Sequence, residues 1–85
     1  MKFYEATDKV RSLKVQPSND ELLQIYSLYK QATDGDCNIP APSAFNLLGK
    51  AKWVAWQSQK GISKSDAEKK YVSLVESLIK KYGLS

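Results

Sequence analysis

Pro17-Ser18-Asn19-Asp20-Glu21-Leu22-Leu23-Gln24-Ile25-Tyr26-Ser27-Leu28-Tyr29-Lys30-Gln31-Ala32-Thr33-Asp34-Gly35 carries the marks of one complete helix. Pro17 biases the residue before it away from helical angles, which closes the preceding segment. Ser18 and Glu21 have the form of a capping box, in which hydroxyl and carboxylate each satisfy a free amide of the first turn. Leu22, Ile25, Tyr26, Tyr29 and Ala32 then recur at three- and four-residue steps, which predicts one apolar face. Gly35 is the expected C-terminal stop.

The same spacing extends on both sides. Upstream, Phe3, Ala6, Val10 and Leu13 share a narrow stripe of a first helix that Pro17 is expected to end. Downstream, Gly35, Pro40, Pro42 and Gly49 break up a long connection over residues 35–49, with one short turn expected around Ala44-Phe45-Asn46-Leu47. A third helix is predicted from about Lys50 to Lys60, stopping at Gly61. Ser63-Lys64-Ser65-Asp66 resembles another N-terminal cap. It leads into the stripe Ala67, Tyr71, Leu74, Val75, Leu78 and Tyr82 of the longest helix, closed by Gly83. No segment alternates at period two and there is no internal repeat. Residues 1–85 therefore predict a single all-α domain of four helices.

Composition narrows the function. Hydrophobic content of 42% and charged content of 26% are those of a folded globular chain rather than a disordered one. No apolar run approaches the roughly 20 residues that span a bilayer. The opening Met-Lys-Phe-Tyr-Glu-Ala-Thr-Asp has no continuous apolar stretch of a secretory signal. One cysteine makes no internal disulfide, so a cytoplasmic location is the expectation. The net charge of +4 favours anionic partners without choosing among nucleic acid, membrane surface and phosphorylated metabolite.

Catalysis finds little support. The chain has no histidine, which removes the commonest general base, the usual triads and most zinc sites. Cys37 has no neighbour in sequence that would lower its thiol pKa. Asp34 and Asp36 flank Gly35, but the acidic pattern of a calcium loop is missing and turn chemistry accounts for both. No phosphate-cradling glycine loop is present, and neither a metal nor a cofactor is expected. A binding protein is the better reading.

The binding residues are suggested by helical geometry. Tyr26 and Lys30 are i,i+4 neighbours, with Tyr29 three residues from Tyr26 and Leu23 pointing nearly along Lys30. That flank offers aliphatic surface, a phenol hydroxyl and an ammonium together, which suits a phosphate next to a flat ring. Core packing is the simpler account of Tyr26 and Tyr29, which lie on the apolar stripe, and likewise of Trp53 and Trp56. Lys50 and Lys52 lie about 200° apart around their helix, so spacing alone does not say which faces a ligand.

Tyr29-Lys30-Gln31-Ala32-Thr33 through Gly35-Asp36, Gly49-Lys50-Ala51-Lys52-Trp53 with Ala55-Trp56, and Lys60-Gly61 before a capping Ser resemble the acyl-CoA-binding protein family, also called the diazepam-binding inhibitor family. The resemblance runs from Phe3 to Gly83. It implies a skewed bundle of four antiparallel helices that binds one long-chain fatty acyl-CoA and does not alter it. It places the ribose 3′-phosphate on Tyr26, Lys30 and Lys52, which selects Lys52 over Lys50. It further implies Tyr29 against the adenine, Tyr71 and Arg11 near the nucleotide, and Leu22 and Leu23 along the acyl chain. The first and last helices would pair through Phe3, Val10 and Leu13 against Tyr71, Val75 and Leu78. Gln16 stands where many members carry Lys, Arg11 replaces a more usual Lys, and Thr7 replaces a common Ala. The segment Cys37–Leu48 matches least, and it borders the expected acyl groove.

A monomer is the default expectation, because no apolar stripe is left over once the bundle forms, and transient contact with membranes or acyl-CoA-using enzymes stays open. Two other classes remain open: a nucleic-acid-binding module using the basic surface, and a helical protein-interaction domain whose groove receives a partner helix.

Overall fold

The capping box at Ser18 forms as its sequence predicts. Ser18 Oγ accepts from the Glu21 amide at 3.2 Å, and Glu21 Oε1 accepts from the Ser18 amide at 2.8 Å. In the computed structural model, which describes residues 1–85, four helices follow in order. They are α1 (Phe3–Lys9), α2 (Asn19–Thr33), α3 (Leu47–Gln57) and α4 (Lys64–Tyr82). Gly35, at φ +84°, takes the left-handed conformation that stops α2. Ser63 caps α4 by accepting from the Asp66 amide at 3.1 Å.

Three boundaries differ from the sequence reading. The first helix ends at Lys9 and tightens into a single 3-10 turn, Val10–Ser12, after which Leu13 is extended. Pro17 thus has no helix to end. The cause lies at the far end of the chain, where Leu13 pairs with Leu84 in an isolated antiparallel bridge. The Lys14 amide donates to Gly83 O at 2.9 Å, and the Ser85 amide donates to Ser12 O at 2.8 Å. The third helix starts three residues before Lys50, because Asn46 Oδ1 accepts from the Gly49 amide at 3.0 Å. A Cβ at Gly49 would lie 2.5 Å from the Asn46 side chain, so glycine is needed for that cap. The same helix ends at Gln57, and successive turns carry the chain to Gly61. The expected turn in the long connection is present, with the Asn46 amide donating to Ser43 O at 2.9 Å.

α4 packs against both α1 and α2, while α3 packs on α2 alone. The core joins Phe3 and Ala6 of α1, Leu28 and Ala32 of α2, and Ala67, Tyr71 and Val75 of α4. Leu78 is buried as expected, whereas Leu13 is only half-buried because it has left the helix. The face of α2 that enters the interior is Ser27, Leu28, Gln31 and Ala32. Of the predicted stripe, Leu22 and Tyr29 stay exposed. α2 therefore has two apolar faces, one against α4 and one turned to a groove. The Cα envelope measures 36 × 28 × 15 Å, little more than a helix and its side chains in its thin dimension. Only 11 residues are buried, so polar ties between helix ends matter to this fold.

One such tie closes α2 onto α4. Glu21, already in the capping box, also accepts from Tyr82 Oη at 2.6 Å and from Lys81 Nζ at 3.0 Å. These donors, Tyr82 first and the Ser18 amide next, lower its carboxyl from 4.5 to about 2. A carboxylate with a depressed folded pKa stabilises the protein above its unfolded value and loses that contribution as pH falls. Glu21→Gln should thus lower the melting temperature at pH 7 by several degrees. The gap to the parent should narrow below about pH 4.5 and close near pH 2, as thermal melts across that range would show.

Candidate functional site

The second apolar face of α2 and the near side of α3 enclose a groove of about 710 Å³, within the range of small-molecule sites. Asn19, Leu22, Leu23, Ile25, Tyr26 and Tyr29 line it from α2. Leu48, Ala51 and Lys52 line it from α3, and Tyr71 reaches it from α4. Eight of these ten residues are apolar, so the groove favours an aliphatic or aromatic occupant.

Aromatic packing fixes one wall. Phe3 stacks on Tyr29 with centroids 6.1 Å apart and meets Tyr71 edge-on at 5.1 Å, while Tyr29 and Tyr71 lie 6.2 Å apart. These are the separations at which aromatic rings attract. Tyr29 keeps 42% exposure, so its ring has a free surface; Tyr71 keeps 2%. Burial raises the Tyr71 hydroxyl above its ordinary pKa, with Tyr29 adding to the effect and the positive charge of Arg11 opposing it. Arg11 is thus electrostatically close to Tyr71, although it sits exposed on the 3-10 turn and does not line the groove.

The cations divide. Lys52 Nζ lies 5.3 Å from the Tyr26 ring centroid, a cation–π contact that sets a positive charge on the groove wall. Lys50 is exposed and does not line the groove. Lys30 is turned away, with its ammonium paired to Asp34 one turn later and 4.8 Å from the Trp56 ring centroid. The Asp34 hydrogen bond raises the Lys30 pKa, and Lys30 lowers that of Asp34. Of the eight residues singled out in the sequence, the structure brings together Leu22, Leu23, Tyr26, Tyr29, Lys52 and Tyr71. Lys30 and Arg11 stand outside the groove.

Sequence reasoning missed Asn19, Ile25, Leu48 and Ala51 as lining residues. The signal for the last two was Asn46 as a cap. Starting α3 there makes Leu48, Ala51 and Lys52 i, i+3 and i+4 neighbours on one side. Trp53 also departs from the simple core reading. Its Nε1 donates to Ile39 O at 2.9 Å and pins the long connection to α3. Trp56 is buried, and its Nε1 donates to Gly35 O at 2.8 Å. Asp36 does more than shape a turn. It accepts from the Gly61 amide at 2.9 Å and from Gln31 Nε2 at 2.8 Å, and these bonds depress its pKa.

Comparison with known proteins agrees with this architecture. A family model described as acyl CoA binding protein matches residues 1–75. The chain is 54% identical over 83 residues to acyl-CoA-binding protein homolog 1 of Caenorhabditis elegans, spanning 98% of this chain and 96% of that protein. It is 56% identical over 80 residues to the acyl-CoA-binding protein of Dictyostelium discoideum, spanning 94% and 95% of the two chains. The fold superposes on the crystal structure of Oryza sativa acyl-CoA-binding protein 2 with a TM-score of 0.89 at 38% identity, covering 93% of this chain and 86% of the rice chain.

The Lys30–Asp34 pair is open to a direct test. Asp34→Asn removes the largest cause of the raised Lys30 pKa, so side-chain NMR titration should show that pKa falling toward the ordinary lysine value of 10.5. The melting temperature should stay nearly unchanged, because both groups are partly exposed.

Proposed function

The chain belongs to the acyl-CoA-binding protein family, and on that premise we propose that it binds one medium- to long-chain fatty acyl-CoA and releases it chemically unchanged. The observation that carries this reading is an apolar groove of about 710 Å³ with the Lys52 ammonium on its wall and the exposed Tyr29 ring beside it. An aliphatic chain with an anionic, aromatic head meets complementary surface at both ends.

In this reading Leu22, Leu23, Ile25 and Leu48 take the acyl chain. The free face of Tyr29 packs on the adenine, and the 3′-phosphate rests on Lys52, the Tyr26 hydroxyl and Lys30. Lys30 must leave Asp34 to do so, and a phosphate carrying more than one negative charge competes well against a single carboxylate. Asp34 keeps the positive charge of Lys64 nearby, which eases the exchange. Arg11, electrostatically close to Tyr71, adds a cation at the nucleotide end.

Burying about 14 methylenes at roughly 0.8 kcal/mol each sets an upper bound near ~11 kcal/mol. Ordering the chain and the partners consumes much of this. The phosphate contacts fix register, and the thioester lies between the two anchors. The groove lining holds no carboxylate, histidine, cysteine or serine to act as base or nucleophile toward it. The role that follows is carriage and buffering of acyl-CoA esters by a monomer in the cytoplasm.

Calorimetry of palmitoyl-CoA against the purified protein should give tight one-to-one binding, with free CoA and palmitate each far weaker. Lys52→Ala and Lys30→Ala should each weaken binding by roughly tenfold to a hundredfold, with Tyr26→Phe losing less. Circular dichroism should show unchanged helicity in all three. Parent-like affinity in the lysine variants would sink the assignment of the phosphate site.

A further inference from the structure

Three attractions hold the Lys30 ammonium outside the groove. It is paired to the Asp34 carboxylate, and it stands 4.8 Å from the Trp56 ring centroid. It also lies in the last turn of α2, where the negative end of the helix dipole favours a cation. The groove itself is lined by a single cation, Lys52. The free protein therefore presents only half of the lysine pair that the functional reading assigns to the 3′-phosphate.

Among these attractions Asp34 alone carries a full charge, so it dominates. Asp36, the other acid at this end of α2, is engaged by the Gly61 amide and Gln31 Nε2 and does not compete for Lys30. The Lys30–Asp34 pair is partly exposed on both sides, so it breaks at modest cost. Its rupture leaves no buried unpaired charge, because Asp34 stays hydrated and a second lysine is close by. The stem of Lys64, first residue of α4, runs beside Gly35, where a Cβ would lie 3.4 Å from Lys64 Cε.

We propose that Asp34 sets the affinity for the phosphate end of the ligand, by keeping Lys30 out of the site until a 3′-phosphate displaces it. This inference rests on the functional reading above. A ligand without that phosphate has nothing to draw Lys30 away, and it binds with the pair intact. Asp34 thus weakens binding only of ligands that carry the phosphate, and it recaptures Lys30 as such a ligand leaves. A carrier that must hand on its cargo gains from a competitor built into its own helix.

The test is calorimetry at about 0.15 M salt with palmitoyl-CoA and with palmitoyl-dephospho-CoA, which lacks the 3′-phosphate. Asp34→Asn should bind palmitoyl-CoA roughly threefold to fivefold more tightly than the parent, the upper part of what a partly exposed pair supplies. Its affinity for the dephospho ligand should match the parent's. Asp34→Glu, which keeps a carboxylate one turn from Lys30, should restore parent affinity for both. On a Lys30→Ala background, Asp34→Asn should bring no gain. An unchanged or weakened palmitoyl-CoA affinity in Asp34→Asn would overturn the proposal. So would an equal gain for both ligands, or the same gain without Lys30, since either would make Asp34 a general repulsive charge. A parent that fails to bind palmitoyl-CoA would take the functional reading down together with this inference. Palmitoyl-CoA binding that is insensitive to Asp34 would strike the inference alone.

Discussion

A buried amide at Gln31 holds the long connection in place, and the groove depends on it. Gln31 Nε2 donates to Asp36 Oδ1 at 2.8 Å and to Ile62 O at 2.7 Å, which ties the end of α2 to the segment joining α3 and α4. Asp36 extends the tie to the Gly61 amide, and Trp56 adds a bond to Gly35 O. Buried donors and acceptors are costly to leave unpaired, so these groups form a set that is kept or lost together. α3 packs only on α2. Its position, and hence the groove, rests on this polar joint together with the Trp53 bond to the connection.

Local chemistry explains what the sequence disclosed. The Ser18 and Ser63 caps and the Gly35 stop act through atoms a few residues apart, and they fix α2 and the start of α4. The end of α1 and the start of α3 were read less well for physical reasons of different kinds. Leu13 is drawn out of the helix by Leu84, which periodicity in the first 16 residues does not contain. Asn46 is a local signal, but Gly49 reads as a breaker until its place under the Asn46 side chain is known.

The site shows the same division. Leu22, Tyr26 and Tyr29 were visible as an apolar stripe, yet spacing does not say whether a stripe meets a neighbouring helix or open space. In a body this thin, α2 meets both. Lys30 was correctly placed next to Tyr26 in angle, but Asp34, one turn further on, is the nearer charge and turns the ammonium aside. Neither the Gln31 contacts across the connection nor the Trp53 bond to Ile39 has a signature in the sequence, since each joins segments whose meeting is decided by the tertiary fold.

Tyr71 belongs to two structures at once, being part of the core and part of the groove wall. A change there alters packing against Phe3 and the shape offered to an occupant in one step. Leu22 and Leu23 touch the groove and stand outside the core cluster. Divergence among descendants of this chain therefore has a permitted direction. Preference for one occupant over another is free to drift at the two leucines, while the tyrosine stays under a double veto.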